Sequence, residues 1–486
     1  MPKISKTHLF SLGIFLLALL PLFLVTTPLF LKDPPVWPDE AIYTDMAKNL
    51  LATGNLATDI FGETIPGLSV RAFWYPPLYF YLLAFWIKIF GPSIEAVRML
   101  SLIFAFASVM SLFWVVKVLF RSNLLALVGA ILLTLDPWFI QAAKVARMDM
   151  FSFLLLMLSI LTFFLAQKKG KFYFLPGIFC GLGILTHPLG FIAPTLFLLF
   201  MLLQKIEFKD KFFRICSIFT PVIFSFLLWL WMLKEDLSLF VIQYQLQFAR
   251  KSASLPYVFF LLKGADPFWK IFFAAHFLIA LILFIQLVRF RNRITFFLLL
   301  GLGVSTITIF WGKEMWYPLY FQPFITLAFL SCLTFVKGKA PTANHWKGDG
   351  FFALLFFFVI LELGYSVGNT ERFTGQNYDY HDFTRRISAN LPFNAKVFLA
   401  TIPDPYFDLQ ANKNIKLYEF PTVPTSKRAY RDLLASVDYV ILNMPPHPVL
   451  IDYLEKNTES EIKIEQPVGY STSIFRLKKE RTALEF

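Results

Sequence analysis

The sequence has few charged residues and few cysteines. Aspartate, glutamate, lysine and arginine make up 16% of the 486 residues, whereas soluble domains contain roughly 25%. This shortage argues against a soluble globular protein. The three cysteines, Cys180, Cys216 and Cys332, have neither CxxC nor zinc-ligand spacing. They therefore provide neither a disulfide framework nor a metal cluster.

Hydrophobic residues dominate instead. They account for 57% of the chain, which includes 60 phenylalanines, compared with roughly 45–50% in soluble domains. We predict a polytopic α-helical membrane protein with about eleven spans of about 20 residues each, at 8–31, 95–116, 123–141, 150–166, 172–186, 188–203, 212–233, 269–288, 294–311, 317–335 and 351–368. The first span is interpreted as an uncleaved helix, because it is long and lacks a small-residue cleavage site.

Basic residues form short clusters between the apolar runs. The net charge is +13, but this distribution indicates membrane topology and not a nucleic-acid-binding surface. All the basic clusters fall on the same side of the membrane if the short aromatic segment 75–90 is a helix lying in the membrane interface. That side is cytoplasmic by the positive-inside rule. The first loop, 32–94, the loop 136–149 and the tail then lie on the periplasmic or extracellular side.

The sequence changes character after residue 369, where alternating polar and apolar residues replace the continuous apolar runs. We predict a transmembrane domain over 1–368 and a small external α/β domain over 369–486. Helices are expected at 380–391, 427–435 and 449–456, and strands at 396–401, 416–418, 438–443, 461–465 and 473–477. This tail has no GxGxxG or Walker-type glycine loop, and hence no recognisable nucleotide site.

An amphipathic helix is expected directly after the first span. Pro38 precedes the acidic pair Asp39 and Glu40, and apolar residues then recur every fourth position from Ile42 to Leu50. Carboxylates in a first helical turn complement the helix dipole, which is worth about 0.3–1 kcal/mol. Their position at headgroup depth favours a functional role, since a carboxylate there is costly unless it faces a polar cavity.

A second polar site lies on the same predicted face, between two spans. It contains Lys144, Arg147 and Asp149. Basic residues on an external face suggest anion binding. Alternatively, the two cations reach lipid headgroups and Asp149 caps the next helix. Together the two loops predict one external cavity that contains both carboxylates and cations.

These motifs resemble the GT-C glycosyltransferases. The resemblance rests on the acidic pair after the first span, a Tyr-Pro-Pro-Leu-Tyr stretch at 75–79, a Gly-Pro-Ser-Ile-Glu-Ala-Val-Arg stretch at 91–98, and the second acidic loop. It covers about the first 330 residues. The sequence is most similar to the protein O-mannosyltransferase and aminoarabinose transferase group. That resemblance implies transfer of a sugar from a polyprenyl-phosphate donor to an acceptor hydroxyl, with inversion.

The resemblance also implies roles for individual residues. In these transferases the first-loop aspartate is taken as the catalytic base, which corresponds to Asp39, with Glu40 in support. The second acidic loop lines the same site and contributes Asp149 and Arg147. Further candidates for binding the donor phosphate are Lys144, Lys313 and Arg71. His187 stands where the aminoarabinose transferases carry a lysine motif, and with Tyr317 it is a candidate substrate-binding residue.

Other interpretations stay open at this point. Asp39, Glu40 and Asp149 offer the hard oxygen ligands that a divalent metal prefers, although their spacing does not require one. His187 and Arg71 are also typical of membrane-interface residues. A lipid-linked substrate transporter or flippase, or a membrane assembly protein, are the alternative functions. Within the enzyme interpretation, the sugar is open and the acceptor is a protein, a lipid or a glycan.

Overall fold

The computed structural model describes residues 30–234, 236–253, 292–312, 314, 316–338, 378–421, 423, 425–443, 448–465 and 471–481, together with some positions within 13–27, 280–288 and 357–364. The predicted spans 8–31, 269–288 and 351–368 lie largely outside the described residues. The predicted boundary at 368–369 and Lys313 also lie outside them.

The first loop contains two helices, α1 (Pro38–Thr53) and α2 (Leu78–Phe90). α1 begins where the sequence predicts it. Pro38 occupies a first-turn position, and the Glu40 carboxylate accepts a hydrogen bond from the backbone N–H of Trp37 at 2.9 Å. α2 has 13 residues, fewer than the ~20 that a membrane crossing requires. Its orientation in the interface stays a prediction.

The helices that follow form the membrane part and its connections. They are α3 (Ile94–Phe120), α4 (Asn123–Leu135), α5 (Pro137–Ala143), α6 (Met148–Lys169), α7 (Phe174–Ile184), α8 (Ile192–Leu203), α9 (Phe208–Leu233), α10 (Leu237–Ala253), α11 (Arg293–Gly312) and α12 (Gln322–Gly338). Within the described part, α3, α6 and α9 are long and apolar enough to cross a membrane, and α4 with α5 adds a fourth if the bent pair is one span. α7 and α8 are apolar but shorter.

The predicted span 123–141 is not a straight helix. α4 and α5 meet at an angle of 69°. The break falls at Asp136, whose carboxylate accepts a hydrogen bond from the N–H of Phe139 at 2.8 Å and so caps α5. Pro137 has no N–H with which to continue the ladder of α4. The Asp-Pro pair thus turns the chain before the loop that contains Arg147.

The chain after residue 378 forms a five-stranded sheet with helices. Its helices are α13 (Tyr380–Ala389), α14 (Tyr406–Lys413), α15 (Lys427–Ser436) and α16 (Pro448–Asn457), and its strands are β1 (Lys396–Ala400), β2 (Lys416–Glu419), β3 (Tyr439–Leu442), β4 (Thr458–Glu465) and β5 (Ser471–Leu477). The strand order is β2-β1-β3-β5-β4. β2, β1 and β3 run parallel, while β5 is antiparallel to both β3 and β4. The predicted elements lie close to these bounds, whereas α14 was missed.

The sheet packs directly on the first loop. The N–H of Asp404 donates to the carbonyl of Val36 at 2.9 Å, and the N–H of Glu419 donates to that of Ile60 at 2.6 Å. Buried residues of β1 and α14 belong to the same hydrophobic cluster as those of α1. The sheet and the membrane helices therefore share a hydrophobic core, to which α1 contributes buried residues.

Candidate active site

Arg147 joins the two acidic loops. Its guanidinium forms ion pairs with Asp39, at the start of α1, and with Asp149, where Nε and Oδ2 are 2.9 Å apart. The Asp149 side chain is 3% exposed and that of Asp39 is 30% exposed. The structure thus brings these three predicted residues together. Asp39 is the carboxylate of this trio that is open to an incoming molecule.

Aromatic rings surround the guanidinium. The guanidinium carbon of Arg147 lies 5.0 Å from the centre of the Trp316 ring and 5.8 Å from that of Tyr43. Tyr43 in turn contacts Tyr75 edge-on, with ring centres 5.6 Å apart. Cation–π contacts stabilise a cation without neutralising its charge. The rings therefore add to the stabilisation that Arg147 receives from Asp39 and Asp149.

His187 and Arg147 approach different carboxylate oxygens of Asp149. The Nδ1 of His187 accepts a hydrogen bond from the backbone N–H of Leu189 at 3.0 Å, so the neutral ring carries its proton on Nε2. That Nε2 lies 3.7 Å from Oδ1 of Asp149. The imidazole stacks on Tyr320 and meets Tyr317 edge-on. Both predicted substrate-binding residues, His187 and Tyr317, thus lie beside the acidic cluster.

The turn that holds His187 depends on a close backbone contact. A Cβ on Gly190 would lie 2.2 Å from the carbonyl carbon of Gly183. Only glycine allows the 3-10 turn Pro188–Phe191 to approach the end of α7 this closely. The turn sets the position at which the imidazole meets Asp149.

Glu40 lies in a different environment from Asp39. Its carboxylate is fully buried and accepts hydrogen bonds from Arg98 Nε (2.9 Å) and Nη2 (2.7 Å), and from the backbone N–H groups of Ala146 (2.8 Å) and Trp37 (2.9 Å). Four donors satisfy both oxygens. Glu40, predicted to support Asp39, is thus held by protein donors on both of its oxygens. Glu40 ties α1 to α3 and to the Arg147 loop.

Two of the predicted phosphate ligands pair with carboxylates other than Asp39 and Asp149. The Lys144 side chain is buried, with Nζ 3.2 Å from Asp33 Oδ2. Burial lowers the pKa of Lys144, while the nearby Asp33 carboxylate partly counteracts that effect. Arg71 pairs with Asp236 at 2.5 Å and lines a cleft of about 270 Å³ together with Tyr75 and Lys234. These contacts argue against a direct role for Lys144 at the donor phosphate.

Sequence reasoning missed Arg250 on α10. Its Nη2 lies 2.7 Å from Oε1 of Glu314, and its Nε is buried with no hydrogen-bond partner within the described structure. Arg250 is near enough to Tyr43, Tyr75 and Tyr317 to interact with them electrostatically. It therefore adds a second cation to the aromatic pocket around Arg147.

A sequence signal for Arg250 does exist. Gln243, Gln247 and Arg250 are spaced four and three residues apart, so they share one face of a helix. The side chain of Gln243 bonds the backbone of Pro66, Arg71 and Phe73 at 2.7–3.1 Å. This polar face packs α10 on the first loop and directs Arg250 toward the site.

No group of three or more His, Cys, Asp or Glu side chains suited to holding a metal ion occurs in the described part of the chain. Asp39 and Asp149 face a shared arginine, and Glu40 is occupied by its four donors. Asp39, Glu40 and Asp149, the three possible oxygen ligands of a metal, thus each have protein partners in the described structure.

Part of the chain is similar in sequence to known proteins. Residues 75–229 match the family model of dolichyl-phosphate-mannose-protein mannosyltransferases. An uncharacterized protein of Aquifex aeolicus (strain VF5) is 29% identical over 196 residues, which are 39% of this chain and 38% of that protein. The alignment therefore spans well under half of the relative's length.

Two solved structures extend the similarity over most of the chain. ArnT from Cupriavidus metallidurans, bound to undecaprenyl phosphate, has a TM-score of 0.60 at 13% identity, covering 97% of this chain and 98% of that one. The apo oligosaccharyltransferase of Archaeoglobus fulgidus has a TM-score of 0.58 at 11% identity, covering 89% and 69%. The chain is an integral membrane protein with a GT-C fold, and the resemblance drawn from its sequence is confirmed.

Proposed function

We propose that this GT-C protein transfers a sugar from a polyprenyl-phosphate donor to an acceptor hydroxyl on the outer face of the membrane. One observation supports this above the others: the accessible carboxylate of Asp39 touches the buried cation Arg147. A base and a phosphate ligand are thus adjacent in one pocket. The acceptor hydroxyl belongs to a protein, a lipid or a glycan.

Asp39 acts as the general base. Its carboxylate takes the proton of the acceptor hydroxyl while the hydroxyl oxygen bonds to C1 of the sugar. The bond between C1 and the phosphate oxygen breaks, and the electron pair leaves with the polyprenyl phosphate. A single displacement of this kind inverts the configuration at C1.

Arg147 and Arg250 hold the phosphate. Arg147 lies over the ring of Tyr43, and Arg250 is close enough to Tyr43, Tyr75 and Tyr317 to interact with them electrostatically. An arginine donates two parallel hydrogen bonds to a phosphate and neutralises the charge that builds up as it departs. A phosphate bound to Arg147 also competes with Asp39 for that guanidinium, which makes the carboxylate more basic.

The ends of the helices support an external site. Arg98 lies in the second turn of α3 and Asp149 in the first turn of α6, both at the site. The basic pairs Lys117 with Arg121 and Lys168 with Lys169 stand at the opposite ends of the same helices. With those ends cytoplasmic, the site opens to the periplasmic or extracellular side.

The same distribution argues against the transporter alternative. In α3 and α6 the buried charges, Arg98 and Asp149, lie within the first two turns. Ion and substrate pathways place such groups deep in the membrane. Here Arg98 and Asp149 lie at the same end of their helices, which favours a reaction at the membrane surface.

The test uses the purified full chain in lipid nanodiscs with a panel of radiolabelled polyprenyl-phosphate sugars. We expect transfer or donor hydrolysis from at least one donor. Asp39→Asn should reduce the rate by at least about 100-fold, the lower range for loss of a general base, and should still bind the donor.

Asp59→Asn is the matched control. It makes the same chemical change at an exposed position of the same loop and should keep the wild-type rate. Normal turnover by Asp39→Asn would remove Asp39 from the role of base. A wild type that transfers and hydrolyses none of the donors would contradict the proposed function.

A further inference from the structure

The C-terminal unit, residues 378–481, reaches the helix that carries Asp39. The side chain of Tyr406, on α14, is buried, and its hydroxyl donates to Oδ1 of Asp45 at 2.9 Å. Asp45 lies six residues after Asp39 on α1, which places it about 9 Å further along the helix axis. One hydrogen bond thus links the C-terminal unit to the helix of the proposed base.

Asp45 is the polar centre of this junction. Its Oδ2 accepts a hydrogen bond from the Thr58 hydroxyl at 2.6 Å and a weaker one from the Asn49 amide at 3.4 Å. A carboxylate buried this deeply is costly unless donors satisfy it. Tyr406 supplies the donor to Oδ1, and the other two belong to the first loop itself. The C-terminal unit therefore completes the set of partners that this carboxylate needs.

Two further contacts hold α1, one before Asp39 in the sequence and one after Asp45. Lys48, one turn after Asp45, hydrogen-bonds the Gln410 amide of α14. Just before α1, the carbonyl of Val36 accepts the N–H of Asp404 at 2.9 Å. The C-terminal unit thus holds both the entry and the middle of α1. Asp39 lies between these two points.

We propose that Tyr406 is a positioning residue that sets the placement of Asp39 through Asp45, so that the C-terminal unit is part of the catalytic apparatus. The proposal rests on the function proposed above for Asp39. A base must lie within hydrogen-bond reach of the proton it takes, and small displacements of about 1 Å are enough to cost about 100-fold in rate. Loosening α1 should therefore slow turnover more than it weakens donor binding.

The experiment compares Tyr406→Phe with Tyr380→Phe in the full chain in nanodiscs. Tyr380 is equally buried, and its hydroxyl donates at 2.8 Å to the carbonyl of Asp404, so that bond stays inside the C-terminal unit. In Tyr406→Phe we expect amide hydrogen exchange in 38–53 to rise about tenfold, the effect of losing one hydrogen bond to a charged group. We also expect kcat to fall about tenfold with the donor KM nearly unchanged.

A second measurement guards against misfolding. In Tyr406→Phe, amide exchange in α9 (Phe208–Leu233) should stay at the wild-type rate, because a protein in which only α1 is loosened keeps its other helices closed. Equal exchange and equal kcat in Tyr406→Phe and Tyr380→Phe would overturn the proposal. The two proposals can fail separately. If exchange in 38–53 rises in Tyr406→Phe but not in Tyr380→Phe, the C-terminal unit is coupled to α1. If the wild type then transfers no sugar, the proposed function is contradicted and the coupling is not.

Discussion

Arg98 and Glu40 form a two-point ion pair in which both side chains are fully buried, although they are 58 residues apart in the sequence. Glu40 also accepts the N–H of Ala146, so this pair holds α1, α3 and the Arg147 loop in one arrangement. Asp39 and Arg147 directly adjoin Glu40 and Ala146 in the sequence, so we expect the pair to influence their contact. Glu40 therefore contributes to the site through structure.

The first prediction concerns this pair. Glu40→Gln leaves the Arg98 charge buried without a counterion, which typically costs about 3–5 kcal/mol. We expect a marked drop in the thermal unfolding temperature in detergent, measured by intrinsic fluorescence. Glu40→Gln combined with Arg98→Met removes both charges and should recover part of the loss.

A surface pair provides the control for that measurement. Arg428 and Asp432 lie one turn apart at 3.8 Å and are largely exposed. Pairs of this kind contribute about 0–1 kcal/mol, so Asp432→Asn should leave the unfolding temperature nearly unchanged. A similar small effect of Glu40→Gln would mean that the buried pair does not hold the loops together.

The second prediction concerns Arg250. If it binds the donor phosphate, Arg250→Gln loses a charge-assisted hydrogen bond of about 1.5–3 kcal/mol. The donor KM should rise about 10- to 100-fold, measured as transfer rate against donor concentration. Arg428→Gln, at an exposed arginine of α15, should leave the KM unchanged. An unchanged KM in Arg250→Gln would remove Arg250 from the phosphate site.

Local sequence patterns predicted a large part of this arrangement. The opening of α1 follows from Pro38 and the acidic pair, and the strands after residue 378 follow from alternating polar and apolar residues. Asp39, Arg147 and Asp149 were predicted to meet because two polar loops on one membrane face are costly unless they share a cavity. The structure places all three in contact.

The remaining features depend on partners that are distant in the sequence. No residue next to Glu40 in the sequence indicates that Arg98 will be its ion-pair partner. Likewise, no residue next to Lys144 indicates that it will pair with Asp33. Arg250 meets Glu314 across 64 residues, by way of a helix whose polar face packs on the first loop. Charge patterns predict that such residues need partners, but the packing of the helices decides which partners they find.

The third prediction concerns His381, which bridges the membrane helix α3 and the C-terminal unit. Its Nε2 lies 2.6 Å from Glu95 and its Nδ1 lies 2.8 Å from Asp408. Burial lowers the pKa of His381, but the two carboxylates outweigh that effect and raise it above the usual 6.5. The stabilisation is thus complete below pH 6.5 and lost as the pH rises through the raised value.

Unfolding temperatures between pH 5 and 9 test this bridge. The wild type should lose stability above neutral pH, and His381→Gln should flatten that part of the profile while lowering stability at pH 5–6. The effect should be modest, because the His381 side chain is 42% exposed and solvent screens such pairs. An identical profile in His381→Gln would show that the bridge does not hold the two parts together.

The last prediction concerns Asp404 and Glu419, two buried carboxyl groups beside the junction with α1. Burial raises the pKa of Asp404 to about 6, and burial together with the neighbouring Asp404 raises the pKa of Glu419 well above its usual value. Groups of this kind stabilise the fold while protonated, and that stability is lost as the pH rises through the raised values.

Glu419→Gln keeps a neutral group of the same shape at every pH. We expect it to unfold at a higher temperature than the wild type at pH 8 and at about the same temperature at pH 4. Equal unfolding temperatures at pH 8 would show that the pair is not a source of instability at this junction.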